Sequence, residues 1–147
     1  MSEFLRFFFG IAVWLFILGV ALWRGQGPER TVSAAHLIGM FATPLAQAHV
    51  ATNDPDIGIM TVDLLVFVVL TWVALRSDRW WPLFSSAFFL ITIGIHIIKI
   101  TRPDASQYVY ATSQIFFNYM SLYALGAGVI ALEIRRSRAR RAGLGAA

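Results

Sequence analysis

Apolar residues run through this chain in four long blocks, residues 4–23, 58–75, 80–100 and 108–134, with polar side chains gathered in short gaps between them. A bilayer core about 30 Å thick is crossed by about 20 helical residues at 1.5 Å each, and every block is long enough. Many positions are β-branched, but backbone amides cannot stay unpaired in hydrocarbon, so the blocks predict helices against their local strand preference. The first block is longer than a signal-peptide core and no small-residue cleavage pattern follows it. It reads as a retained span.

The segment 31–51 decides between four spans and five. It carries Leu37, Ile38, Met40, Phe41 and Leu45, but also His36, Pro44, Gln47 and His49. Positively charged residues gather on the cytoplasmic side of membrane proteins, and that rule discriminates here. With five spans and the C-terminus inside, Arg24, Arg30, Arg76, Arg79, Arg135, Arg136, Arg138, Arg140 and Arg141 are cytoplasmic, nine of the twelve basic residues; with four spans the count falls to eight. Five spans also put the loop with Asp54 and Asp56, which has no basic residue, outside. The expectation is an all-α bundle of five transmembrane helices over 1–134 followed by a basic cytoplasmic tail over 135–147, with the N-terminus periplasmic. The alternative keeps four spans and lays 31–51 in the outer interface or lets it re-enter.

Composition agrees with lipid as the solvent: 58% of residues are hydrophobic and 14% charged. The net charge of +4 does not point to nucleic acid, because five arginines crowd the segment 135–141 beside an apolar run and act as an orientation signal. Cysteine is absent, which excludes disulfides, thiolate metal sites and iron–sulfur clusters. No nucleophile elbow, phosphate-cradling glycine loop or His-Glu-x-x-His pattern occurs, so no enzyme is expected.

Candidate chemistry comes from depth. Asp63 and His96 each lie five residues from the outer boundary of their blocks and Gln114 six, which sets all three roughly 8 to 9 Å below the surface at 1.5 Å per residue. His49 reaches the same layer from the second span, and Lys99 lies one turn from His96 on the same face. A carboxyl group at that depth needs a partner, a proton or water. The layer reads in two ways: as a buried polar site for a proton, metal or cofactor, or as Asp63 pairing with His96 or Lys99 to glue helices together. His49 and His96 are the pair that would hold a membrane haem, and with Asp63 they form a ligand set for a transition metal, without a His-x-x-x-His pairing to strengthen it. The cofactor is left open.

At the boundaries, Trp80 and Trp81 on one side and Tyr108 and Tyr110 on the other read as interfacial anchors. Ala124, Gly128 and Ala131 give the fifth block a small-residue stripe where another helix, from this chain or from a partner, can approach closely. The segment from Val20 to Arg24 is echoed by Val73, Ala74, Leu75 and Arg76, each before a short basic turn.

The stretch 61–110, with Asp63, the turn from Ala74 to Pro82, His96 and the run from Tyr108 to Thr112, resembles small uncharacterised multi-span inner-membrane proteins of alphaproteobacterial type. The match covers about a third of the chain. It implies a bacterial inner-membrane location and brings no activity with it. The function expected from the sequence is an accessory or structural subunit of a larger membrane assembly, or a homo-oligomer, in contact with lipid. A small transport or proton-handling protein built on Asp63 and His96 is the first alternative and a haem-binding electron-transfer subunit the second.

Overall fold

A computed structural model of the protein describes residues 3–47 and 57–144. Five α-helices follow one another, α1 (Glu3–Arg24), α2 (Gly27–Gln47), α3 (Ile57–Arg76), α4 (Trp81–Thr101) and α5 (Gln107–Leu144), and the described residues contain no strand. Each helix packs on the next in chain order, and α5 closes the ring against α1 while also touching α2. Among the described residues three helices, α3, α4 and α5, are long and apolar enough to cross a membrane. In α1 the described stretch Phe8–Arg24 falls short of that length, and α2 carries too many polar residues to qualify on composition.

Helix starts and stops have local causes. α2 begins four residues before the expected segment because Gln26 and Glu29 form half of a capping box: the Glu29 carboxylate accepts the Gln26 backbone N–H at 3.0 Å. Pro28 then sits in the first turn, where its missing N–H costs nothing. Gly25 makes the α1–α2 turn possible, since a Cβ there would lie 2.1 Å from the Ala21 carbonyl oxygen and 2.5 Å from the Glu29 Cβ. α5 does not stop at the arginines. It continues through them to Leu144, 38 residues in all, because arginine is a good helix former and nothing in the segment breaks the helix.

The turns at one end are tied together. Arg79, between α3 and α4, donates from Nη1 to Glu29 Oε1 at 2.7 Å and from Nη2 to the Gln26 side-chain oxygen at 2.5 Å. Beside them Arg136 of α5 donates to the Arg24 carbonyl at 2.7 Å and to Glu133 at 3.0 Å. The same end carries two arginines over exposed tryptophans, Arg24 on the adjacent Trp23 and Arg76 on Trp72 one turn before it.

The interior is unusual in its polarity. Leu18, Leu70, Leu122, Leu125 and Trp81 are fully buried, but so are Glu29, Ser33, His36, Ser85, His96 and Ser121, while Phe9, Phe16, Ile38, Phe41, Leu45 and Leu65 stand more than 60% exposed. Trp81 is therefore no interfacial anchor: it is 2% exposed and lies over Gly128, where a Cβ would come within 2.5 Å of the indole nitrogen. Trp80, 53% exposed, keeps the surface position. Gly128, in the middle of the small-residue stripe, is thus filled from within the chain by α4, with Ala124 and Ala131 half-buried a turn to either side.

Candidate functional site

Asp63 on α3 and His96 on α4 meet. The His96 Nε2 lies 3.0 Å from Asp63 Oδ2, and on the far side of the ring the Tyr110 hydroxyl lies 2.8 Å from Nδ1. Three helices thus supply a linear Asp–His–Tyr chain with both ring nitrogens occupied. Tyr110 is delivered by the α4–α5 turn, and Lys99 shapes that turn. Its ammonium donates to the carbonyls of Pro103 and Ala105 at 3.1 and 2.8 Å, pinning the backbone of the turn between α4 and α5. Lys99 is therefore a buried clamp on the backbone and not a partner of Asp63.

The chain of three tolerates a proton in several places. With a neutral imidazole, Nε2–H donates to Asp63 and Nδ1 accepts from Tyr110; with an imidazolium, the tyrosine hydroxyl turns to accept from Nδ1–H. With the proton on Asp63, the carboxyl donates to Nε2. Every arrangement keeps two hydrogen bonds, so moving the proton orphans no ring nitrogen.

Asp63 also lines a cavity of about 440 Å³ to which all five helices contribute, α4 through Phe89. The cavity runs from His36 and Phe89 in mid-bundle to Gln47 and Gln107, which are exposed at the end of α2 and the start of α5. Its wall is mainly apolar, with Ile11, Trp14, Met40 and Val66 among its lining residues. Gln114 projects from α5 with both its amide oxygen and nitrogen shielded from solvent and without a hydrogen-bond partner. An unsatisfied buried amide costs about 1–3 kcal/mol.

The inner wall holds a second polar cluster that sequence reading passed over. His36 Nδ1 lies 2.9 Å from the Val32 carbonyl and must donate to it, while Nε2 lies 3.1 Å from Ser121 Oγ. Ser121 is in turn 2.6 Å from Ser85 Oγ, and the Ser85 hydroxyl donates to the Ser121 carbonyl at 3.0 Å. Trp14 and Phe89 close on the His36 ring edge to face. Serine in an apolar helix carries no periodic signal, so nothing in the pattern of the chain points to this cluster.

His49 lies outside the described residues, so its part in the layer is not placed. His96 and His36 each spend both ring nitrogens on protein groups, which leaves no nitrogen lone pair directed at open space for an axial ligand. Among the described residues no three histidine, aspartate or glutamate side chains gather at metal-binding distance.

A helical bundle with membrane-length apolar helices, a polar interior and an acidic, mainly apolar cavity is the class that fold and site define. Compared with protein-family models, curated proteins and solved structures, the chain matches none.

Proposed function

We propose that this is a small inner-membrane protein that binds, and moves with a proton, a small largely apolar solute carrying a cationic or hydrogen-bonding group. The observation that carries the reading is Asp63, which faces the 440 Å³ cavity on one side and shares its proton chain with His96 and Tyr110 on the other. Asp63 would hold the charged group, and the apolar wall would shed water from the rest. Solute binding and protonation would then compete at one carboxyl group.

The five-span arrangement belongs to this reading, and α2 supports it. Three of its five buried positions, Glu29, Ser33 and His36, are polar and follow one another at helical spacing beside the buried Val32 and Ala35, with Met40, Thr43 and Gln47 lining the cavity. Its exposed positions Ile38, Phe41 and Leu45 are apolar, at 68%, 66% and 71% exposure. A helix that hides its polar face and presents its apolar one has lipid outside it, the reverse of a helix on a soluble protein. α1 then crosses as well, the N-terminus is periplasmic, and the arginine-rich end is cytoplasmic. The subunit reading has less behind it, because the glycine that suggested a partner surface is covered by this chain's own Trp81.

The test is binding of a probe cation. In nanodiscs, tetrapropylammonium is expected to quench the fluorescence of Trp14, read as the difference between the protein and Trp14→Phe. Asp63→Asn should weaken binding at least tenfold and abolish its pH dependence. Equal binding by Asp63→Asn at every pH would remove the reading.

A further inference from the structure

At the opposite end from Asp63 a second cavity, about 450 Å³, is lined by Trp23, Arg24, Arg30, Glu133, Arg136 and Arg140. Four guanidinium groups and one carboxylate face it, a formal charge of 4 − 1 = +3. The carboxylate is already engaged. Glu133 accepts from Arg136 at 3.0 Å and lies 3.7 Å from Arg24, and Arg136 also donates to the Arg24 carbonyl at 2.7 Å. The side chains of Arg30 and Arg140 make no hydrogen bond or ion pair among the described residues. They enter the cavity from two helices, Arg30 from the first turn of α2, whose helix dipole adds positive potential there, and Arg140 from the α5 extension.

Protein structures normally spread like charges apart or pair them, and this end does neither for Arg30 and Arg140. The geometry assigns the cavity an anion with several acceptor oxygens, and its surroundings fix the source. Trp23, 76% exposed, stands at its edge with Arg24 5.1 Å above the ring, the arrangement of an interfacial tryptophan. Phe16, two turns along the same face of α1, and Ile130, one turn from Glu133 on α5, are 70% and 63% exposed. A basic pocket with apolar side chains leading away from it matches a phosphate headgroup followed by acyl chains. We propose that this cavity binds the phosphodiester of an anionic phospholipid, with Arg30 and Arg140 as the residues that contact it. The site is independent of the Asp63 cavity and does not rest on what that cavity binds.

Native mass spectrometry of the full chain in a nonionic detergent tests this, with phosphatidylglycerol or phosphatidylcholine added at equal concentration. Retention of phosphatidylglycerol is expected to exceed that of phosphatidylcholine at least tenfold. Arg30→Gln combined with Arg140→Gln should reduce that preference about tenfold, and Arg140→Gln alone about threefold. Melting should be unchanged in both, since neither side chain holds a bond. Arg76→Gln, at the same end but outside the cavity, should leave the preference intact. Equal retention of the two lipids, or an Arg76→Gln effect as large as the double variant's, would overturn the proposal. Displacement of phosphatidylglycerol by millimolar inorganic phosphate would overturn the lipid assignment and leave a small-anion site.

Discussion

Single hydroxyl groups hold this bundle at places where hydropathy shows nothing. Ser33 donates to the Leu18 carbonyl at 2.9 Å and joins α2 to α1; Ser86 and Thr71, 2.8 Å apart, join α4 to α3; Ser121 joins α5 to both α2 and α4. Water does not compete for such bonds in lipid, yet each is worth only about 0.6 kcal/mol on average, because the separated helices find other partners. Ser121 is a special case. Its loss orphans His36 Nε2 and removes an acceptor of Ser85, and a buried polar group left unpaired costs about 1–3 kcal/mol. Ser121→Ala should therefore lower stability by about 1–3 kcal/mol, whereas Thr71→Val should cost less than 1, measured by denaturant unfolding in mixed micelles. Equal effects would mean that the His36 cluster adds nothing beyond ordinary interhelical bonds. Asp63 and His96 were legible from the sequence because charged and aromatic polar groups are rare in apolar blocks and counting from the boundaries gives their depth. Serine and threonine tolerate lipid well enough to be scattered, so their roles depend on which neighbour the packing brings.

At the scale of the element, four of the helices and most of their limits follow from the lengths of the apolar blocks, and the fifth, α2, from the distribution of the arginines. Two boundaries do not, and both lie where charge reads as the end of structure. α2 starts at Gly27 because Glu29 caps it and Arg79 neutralises that carboxylate from another turn, a pairing between residues fifty positions apart. α5 runs on to Leu144 because a helix already formed is extended cheaply by arginines. Beside Trp80 and Arg79, Trp81 looks interfacial in sequence, and the glycine opposite it on α5 leaves room for the ring to turn inward. Packing of α4 on α5 depends on that room. Gly128→Leu would force the buried Trp81 ring outward, and overpacking of this kind costs about 1–3 kcal/mol. The melting temperature of Gly128→Leu should fall, and Trp81→Ala introduced with it should recover part of the loss. A double variant no more stable than Gly128→Leu would show that the two residues do not oppose each other.

Across the whole molecule, polar groups lie in a sequence through the interior, from Asp63, His96 and Tyr110, past the cavity to His36, Ser121 and Ser85, and on to Glu29 and Arg79 at the arginine-rich end. The exposed surface between the ends is apolar. The polar interior explains why hydropathy alone leaves α2 undecided: its average is lowered by Glu29, Ser33 and His36, which are buried inside the bundle. The chain has no cysteine, so single-cysteine variants each report one position, and their reaction with a membrane-impermeant methanethiosulfonate in nanodiscs tests the account most directly. Gln114→Cys, on the cavity wall, should react, and tetrapropylammonium should slow it. Phe41→Cys, on the outer face of α2, should be protected as well as Leu65→Cys on α3. A Phe41→Cys that reacts as fast as a cysteine at Arg102, together with a protected Gln114→Cys, would contradict both the crossing of α2 and the open cavity behind it.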